Sequence, residues 1–387
     1  GGIMTGDGDD TINVTNKAEV KAGIYDGNGN DKINISGGAT VGSKDISDRY
    51  KSIDKYKDGR EVTDADRISM EAQFQQRSGV QLGHGKNEVT IEGEGTTVSR
   101  VTEYKYNHDE KFKNEDWTNT VTVKDKATVS FDIDINSIKA DTVKVENNAT
   151  VRGTIFTGGG NDTITVTNNS KIGGVRGESD DDTIKIIDST VGGKGSFYGG
   201  IDNKDNGNFN GDDSSNKSQY EGVNGDLSYD VFRKVDGNDT IIVKNSTVNG
   251  TIWGGGGNDT MYVDNKSTYG NIYGMENQNK IINNDGNIVV EKGNNIDLSK
   301  ITELTDNNVK SIDMTGVNGA KLNITAQDVL DVNKTTGDTL TVKGGIDDTV
   351  HKTDTSSWQN NNDGTYSTTV NGETVSIKIE DSITPDL

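Results

Sequence analysis

The chain of 387 residues contains no cysteine and a single proline, Pro385, so neither a disulfide framework nor a thiolate metal site can hold it together. Aromatic residues make up 6% and hydrophobic residues 29%, too few for a broad globular core at this length. The fold must therefore bury only a few apolar side chains per stretch of chain. No run approaches the ~18 consecutive apolar residues of a membrane span, so no membrane insertion is expected. No N-terminal signal peptide is recognisable, and a start at Gly1-Gly2 without an initiator Met reads as a piece of a longer protein. Positive charge is scarce. Lys and Arg number 40 against 62 Asp and Glu, a net charge of −22, which disfavours nucleic acid phosphates as partners and favours cations. High charge with low hydrophobicity also fits disorder, but here the charges fall at fixed points of a repeat instead of in blocks.

What the chain has is glycine, 49 residues of it, and a recurring phrase. Gly-x-Gly-Asn-Asp-Thr-Ile reads as Gly6–Ile12, Gly27–Ile33, Gly158–Ile164, Val235–Ile241 and Gly255–Met261. Its fifth residue is Asp10, Asp31, Asp162, Asp239 and Asp259, and weaker copies put Asn87, Asn119, Asp141, Asp182 and Asn279 at the same point. Most steps between copies are 20–22 residues, so one structural unit is repeated and the longer steps carry insertions. These insertions are expected near residues 44–79, 99–116 and 202–233, the first with a capping-box-like helix start at Thr63-Asp64-Ala65-Asp66.

One full unit, residues 148–168, shows the backbone logic. Thr163-Ile164-Thr165-Val166 alternates polar and apolar with period two, which sends Ile164 and Val166 to one face of a strand. Val151 and Ile155 can share that interior, as can Val248, Ile252, Met261 and Val263 in a later copy. Gly158-Gly159-Gly160-Asn161 tolerates the positive φ of a sharp reversal. The expected fold is therefore all-β: a parallel β-solenoid with coils of about 20 residues over 1–290, then a mostly β C-terminal domain over 291–387. Whether each coil has two strands or three stays open, because Gly153 and Gly250 can either kink a strand or mark a corner.

In-register stacking brings the recurring carboxylates to about 4.8 Å from one another. At an effective dielectric of 20, like charges at that distance repel by roughly 3–4 kcal/mol. A hard divalent cation offsets this, since Ca²⁺ accepts six to eight oxygens from carboxylates and backbone carbonyls. A tight, solvated Asx corner is the plainer explanation of any single copy.

The phrase resembles the nonapeptide of the RTX (repeats-in-toxin) family, Gly-Gly-x-Gly-x-Asp-x-U-x with U a bulky apolar residue, a calcium-binding β-helix repeat. Gly158–Ile164 and Gly255–Met261 match it in composition and spacing. The resemblance implies a β-roll with Ca²⁺ between neighbouring turns, ligated by Asp10, Asp31, Asp162, Asp182, Asp239 and Asp259. Asp7, Asn28, Asp180 and Asp236 in the turns and the carbonyls of Gly158, Gly160, Gly255 and Gly257 complete the implied set. Here the calcium-type half alternates with a half that carries no regular Asp, so ions are expected along one edge only. Turns with Asn87, Asn119 or Asn279 are expected to be metal-free.

After Asn287 the phrase fades into Ile296–Ile301, Val309–Met314, Leu322–Val332 and Asp338–Gly344, then Trp358, Asp363–Tyr366 and Val375–Ile379. Thr325 and Asp328 can cap one helical turn there. The series resembles the C-terminal region of type I-secreted bacterial surface proteins, the RTX adhesins and some surface-layer proteins. That implies an uncleaved C-terminal secretion signal and an extracellular, cell-surface location. No His-Glu-x-x-His or Gly-x-Ser-x-Gly motif occurs, and His84, His108 and His351 sit among polar residues and are expected to be solvated. The chain is therefore expected to be a structural, S-layer-like calcium protein that self-associates into a lattice. Two alternatives are an adhesin that binds a glycan or host protein through the insertions, and a β-helix polysaccharide-modifying enzyme.

Overall fold

The computed structural model of the chain describes residues 1–42, 78–103, 117–137, 139–178, 180–192, 201–202, 238–250, 252–253, 259–269, 272–273, 279–380 and 382–387. The expected capping-box helix near residue 67, and most of the three expected insertions, lie outside these. The chain divides into two compact units. The first holds Gly1–Thr240, Ser246–Gly257 and Thr268–Gly274, and the second Ile241–Asn245, Asn258–Ser267 and Met275–Leu387. The fold is all-β with parallel sheets and two helices among the described residues.

In the first unit each repeat contributes strands to three parallel ladders. One runs through Thr11–Val14, Lys32–Ile35, Lys86–Glu92, Thr118–Lys124, Thr142–Glu146, Thr163–Val166 and Thr183–Ile187. Like residues pair with like: Ile12 with Ile33, Ile33 with Val89, Val121 with Val143, Val143 with Ile164, and Ile164 with Ile184. A second ladder stacks Val20, Val41, Val98, Val129 and Val151. A third stacks Ile3, Ile24, Val80, Val101, Ile133 and Ile155. Val151, Ile155, Ile164 and Val166 are all completely buried, as the period-two alternation requires.

The count of strands per repeat is thereby resolved. Between Val151 and Thr154 the register of Thr150–Gly158 shifts, so Gly153 marks a corner and not a mere kink. A Cβ on Gly153 would lie 2.1 Å from Asp132 Oδ1, so only glycine fits. Gly250 separates Thr247–Val248 from Ile252–Trp253 in the same way. Another corner is built from paired left-handed residues, Asn147 (φ 58°) with Asn148 (φ 62°) and Asn168 (φ 56°) with Asn169 (φ 60°). Asn tolerates this region, and the Asn168 amide donates to Asn147 Oδ1 at 3.0 Å across the stack. Val101–Glu103 belongs to the third ladder, so the strand reaches into the segment expected as an insertion from 99.

In the second unit Asn279–Asn284 turns back through Asp285 (φ 51°) and Gly286 (φ 88°) to pair antiparallel with Asn287–Lys292. From there pairing is again parallel: Ile288 with Ile312 and Ile312 with Val342 in one sheet, Ile296 with Leu322 and Leu322 with Val350 in another. Helix α1, Leu298–Thr305, starts at Asp297, whose carboxylate accepts from Ser299 N–H at 2.9 Å. Helix α2, Ala326–Thr336, has the expected Thr325/Asp328 capping box but extends to eleven residues. Its buried stripe of Val329, Leu330 and Val332 carries it beyond a single turn. Ile242, Tyr262 and Ile281 join Ile301 in one apolar core of this unit.

Ile164→Ala, at the centre of a fully buried column, is expected to cost about 2–5 kcal/mol and lower the urea midpoint. Thr165→Ala, on the outward face of the same strand, should change it by less than about 0.5 kcal/mol. Equal losses would contradict the assignment of faces.

Candidate functional site

The fifth residue of the phrase lies at the end of the glycine turn, immediately before an inward-alternating strand, and its side chain faces the interior. Asp31, Asp141, Asp162, Asp182 and Asp239 are each at most 2% exposed, as are Asn119 and, in the second unit, Asp259. Asn87 is 3% exposed. Asp10, in the first repeat, is half-buried.

These side chains form a ladder with one direction. In six steps of the row the N–H of one fifth residue donates to the fifth side chain of the following repeat: Asp10 N to Asp31 Oδ1 at 2.8 Å, Asp31 N to Asn87 Oδ1 at 3.2 Å, and Asn119 N to Asp141 Oδ1 at 2.6 Å. The series continues from Asp141 N to Asp162 at 2.7 Å, Asp162 N to Asp182 at 2.8 Å, and Asp182 N to Asp239 at 2.8 Å. One residue earlier in the phrase an exposed ladder runs the opposite way. Asn30 N donates to Asp9 Oδ1 at 2.8 Å, Lys86 N to Asn30 Oδ1 at 3.0 Å, and Asn238 N to Asp181 Oδ1 at 2.6 Å.

The inner ladder occupies only one oxygen of each carboxylate. Oδ2 of Asp31 and Oδ2 of Asp162 are buried and have no hydrogen-bond partner. The Thr157 hydroxyl donates to Gly177 O at 3.3 Å and also lies close enough to the Asp162 carboxyl to offset part of the rise in its pKa. Of the neutral residues Asn87 and Asn119 in the row, Asn87 is satisfied, its Nδ2 donating to Gly83 O at 3.0 Å and to Asn119 Oδ1 at 3.2 Å, whereas Nδ2 of Asn119 is buried without a partner. Asp348 in the second unit, completely buried, is a second contrast. Its two oxygens accept from Ala320 N at 2.7 Å and Gly345 N at 2.6 Å. A buried carboxylate can thus be satisfied by backbone donors alone, and Asp31 and Asp162 are not.

Electrostatics follow from this geometry. Burial pushes the Asp162 carboxyl well above the carboxylate range, and the charges of Asp182 and Asp141 push it further. Burial raises Asp141 to about 7 against the Ser137 hydroxyl, which donates to its Oδ2 at 2.6 Å. Asp31 is raised by burial, partly offset by the Asp10 N–H, with the charges of Asp10 and Asp9 adding to the rise.

The glycines of the turn allow backbones of successive repeats to meet. A Cβ on Gly27 would lie 1.7 Å from Gly6 O, one on Gly83 1.5 Å from Gly27 O, and one on Gly85 1.9 Å from Gly29 O. Carbonyl oxygens therefore crowd the same turns that carry the inward carboxylates. Bare buried carboxylate oxygens beside such carbonyls are a donor set suited to a hard cation. Among the described residues no group of three or more His, Asp or Glu side chains is arranged to hold a metal ion. A cation at Asp31 or Asp162 would have to draw most of its oxygens from the backbone.

The other expected ligands are placed differently. Asp7, Asn28 and Asp180 are exposed on the outside of their turns, where Asn28 Nδ2 donates to Asp7 Oδ1 at 2.6 Å and Gly160 N donates to Asp180 Oδ2 at 3.0 Å. Gly158 (φ 100°) and Gly160 (φ 97°) shape the turn before Asp162. Asp236, Gly255 and Gly257 lie outside the described residues. His84 does not simply face solvent, since its ring stacks on that of the buried Trp117 with centroids 4.4 Å apart. His351 Nδ1 lies 2.5 Å from Asp386 Oδ2. His108 is outside the described residues.

Among the acids not singled out from the sequence is Asp26, completely buried and raised to about 7 by burial. The available signal was parity, because Asp26 lies two residues after the inward Ile24. No helix among the described residues is long and apolar enough to cross a membrane. No family model and no curated protein sequence matches the chain.

Asp26 and Asp141 bind a proton more tightly in the folded than in the unfolded chain, so their contribution is largest at low pH and is lost as pH rises from about 4 through about 7. Asp363, held low by the Thr365 hydroxyl, titrates below this window. With excess chelator, the melting temperature is expected to fall between pH 5 and pH 8, with a slope of up to roughly 1.4 kcal/mol per pH unit for each acid. A profile that rises across this window would contradict the buried acids.

Proposed function

We propose that this chain is a calcium-stiffened structural β-solenoid of RTX type, in which the three parallel ladders are the sides of a coil and the inner Asp row is neutralised by Ca²⁺. The observation that carries this reading is the row itself. Successive buried carboxylates are bonded to backbone N–H through one oxygen, and Asp31 and Asp162 present a second oxygen with no partner. An unpaired buried charge costs several kcal/mol, and a stack of them is not stable without protons or cations. Near neutral pH a divalent cation resolves the conflict without leaving the row protonated. Asp31 and Asp162, with glycine-turn carbonyls, would hold it, and the ion would supply positive charge where these two carboxylates have no basic partner among the described residues.

The rest of the reading follows from linkage. Ligand that binds only the folded chain stabilises it in proportion to the logarithm of its free concentration. A chain of net charge −22 stays extended where calcium is scarce and folds where calcium is abundant, which suits a secreted cell-surface protein. Self-association into an S-layer-like lattice belongs to the same proposal. The neutral stretch of one outward column, Thr120 with Thr142 and Thr142 with Thr163, offers contact surface without like-charge repulsion.

Circular dichroism and thermal melts in millimolar calcium and in excess chelator test the reading; identical β content and melting temperature in the two conditions would sink it. Asp162→Asn gives a sharper result. Its amide can act as that of Asn87 does, so the variant should melt higher than the parent in chelator, by about 1–3 kcal/mol of stability, and gain less from calcium.

A further inference from the structure

Besides the repeating row, a second inward carboxylate occurs in one turn. The position before the first glycine of the phrase is occupied by the exposed Thr5 in the first repeat and, facing the interior, by Asp26, Leu82 and Thr157, all completely buried. Asp26 Oδ1 accepts from Gly83 N at 2.6 Å. Its Oδ2 is buried and has no hydrogen-bond partner. Five residues later, across Gly27-Asn28-Gly29-Asn30, Asp31 Oδ2 is in the same condition. The charges acting on the two are also negative, Asp31 on Asp26, and Asp10 and Asp9 on Asp31. Among the described residues neither takes part in an ion pair with a basic side chain.

We infer that Asp26 and Asp31 together form a distinct divalent-cation site, the tightest in the first unit, with Asp26 as a ligand that the repeat pattern does not supply. The inference rests on the calcium reading above. The turn before Asp162 has one inward carboxylate, with Thr157 in the place of Asp26, and the turn before Asn87 has none. Two bare carboxylate oxygens flank this single glycine turn, and the crowded carbonyls of Gly6 and Gly27 lie beside it. A divalent ion neutralises both charges at once, whereas a monovalent ion or a single proton leaves one buried charge uncompensated. Affinity for calcium rises with the number of ligand charges, so this turn fills first.

Calorimetric titration of the chelator-treated chain with calcium tests the site, using the parent, Asp26→Asn, Asp26→Thr and the exposed control Asp347→Asn. Thr occupies the equivalent buried place at residue 157, so Asp26→Thr preserves a side chain that this fold already accommodates. The expected result is that both Asp26 variants weaken the tightest calcium class at least tenfold and leave the weaker classes unchanged, while Asp347→Asn behaves as the parent. If both variants keep the tightest class within twofold of the parent and melt higher in chelator, Asp26 only stores a proton and the inference falls, with the calcium row intact. If the parent binds no calcium, the row and this site fall together.

Discussion

In-register parallel pairing places each residue above its counterpart in the next repeat, about 4.8 Å away, so every chemical choice is made for a whole column. Apolar columns gain from this, as in the run from Ile12 to Ile184. Amide columns also gain, because Asn carries both donor and acceptor: Asn34 Nδ2 donates to Asn13 Oδ1 at 2.9 Å. A carboxylate column has only acceptors. Each added Asp therefore increases both the repulsion along the column and the number of oxygens that need a donor.

The backbone answers half of that demand. Asp31, Asp141, Asp162, Asp182 and Asp239 each take the N–H of the counterpart in the preceding repeat, which ties these corners to their neighbours. The outer ladder at the fourth residue uses N–H groups in the opposite sense, so adjacent residues in the phrase staple the stack in both directions. Asp348 shows that two backbone donors can satisfy a buried carboxylate completely, because the turn at Gly345 curls an extra N–H onto it. Asp31 and Asp162 have no such second donor. The glycine turns beside them present carbonyls to the next repeat, and the proposed cation rests on this arrangement.

Much of this was legible in the sequence because alternation and repetition are local signals. Ile164 and Val166, and the glycines around Gly160, declared their roles through period and φ. The three-strand repeat was not, since Gly153 as a kink and Gly153 as a corner look alike until the neighbour Asp132 occupies the space a Cβ would need. Ile241-Ile242-Val243 and Met261-Tyr262-Val263 break the alternation with three apolar residues in a row, a sign that both faces are covered in the second unit, but what covers them lies in distant Ile301. Helix α1 was hidden because eight residues behind an Asp297 cap carry too little periodicity to separate from strand. At the site, the recurring Asp stood out and Asp26 did not, because repeat logic attends to what recurs, and the two bare oxygens of residues 26 and 31 become visible only once the turn is closed.

The substitutions in the row have their own physical consequence. Between Asp31 and Asp141 the column holds Asn87 and Asn119, so the two charged stretches lie three steps apart, roughly 14 Å. At that separation the Coulomb repulsion is about a third of that between immediate neighbours, and the intervening Asn87 amide engages Gly83 O and Asn119 instead of adding charge. Within a stretch the first carboxylate to ionise raises the cost of the next, as the charges of Asp141 and Asp182 do for Asp162. Across the amides that coupling is weaker. The row therefore behaves as two electrostatic segments, each needing its own compensation. Asp26, which adds charge at the end of the shorter one, gives that segment a demand for cations out of proportion to its length.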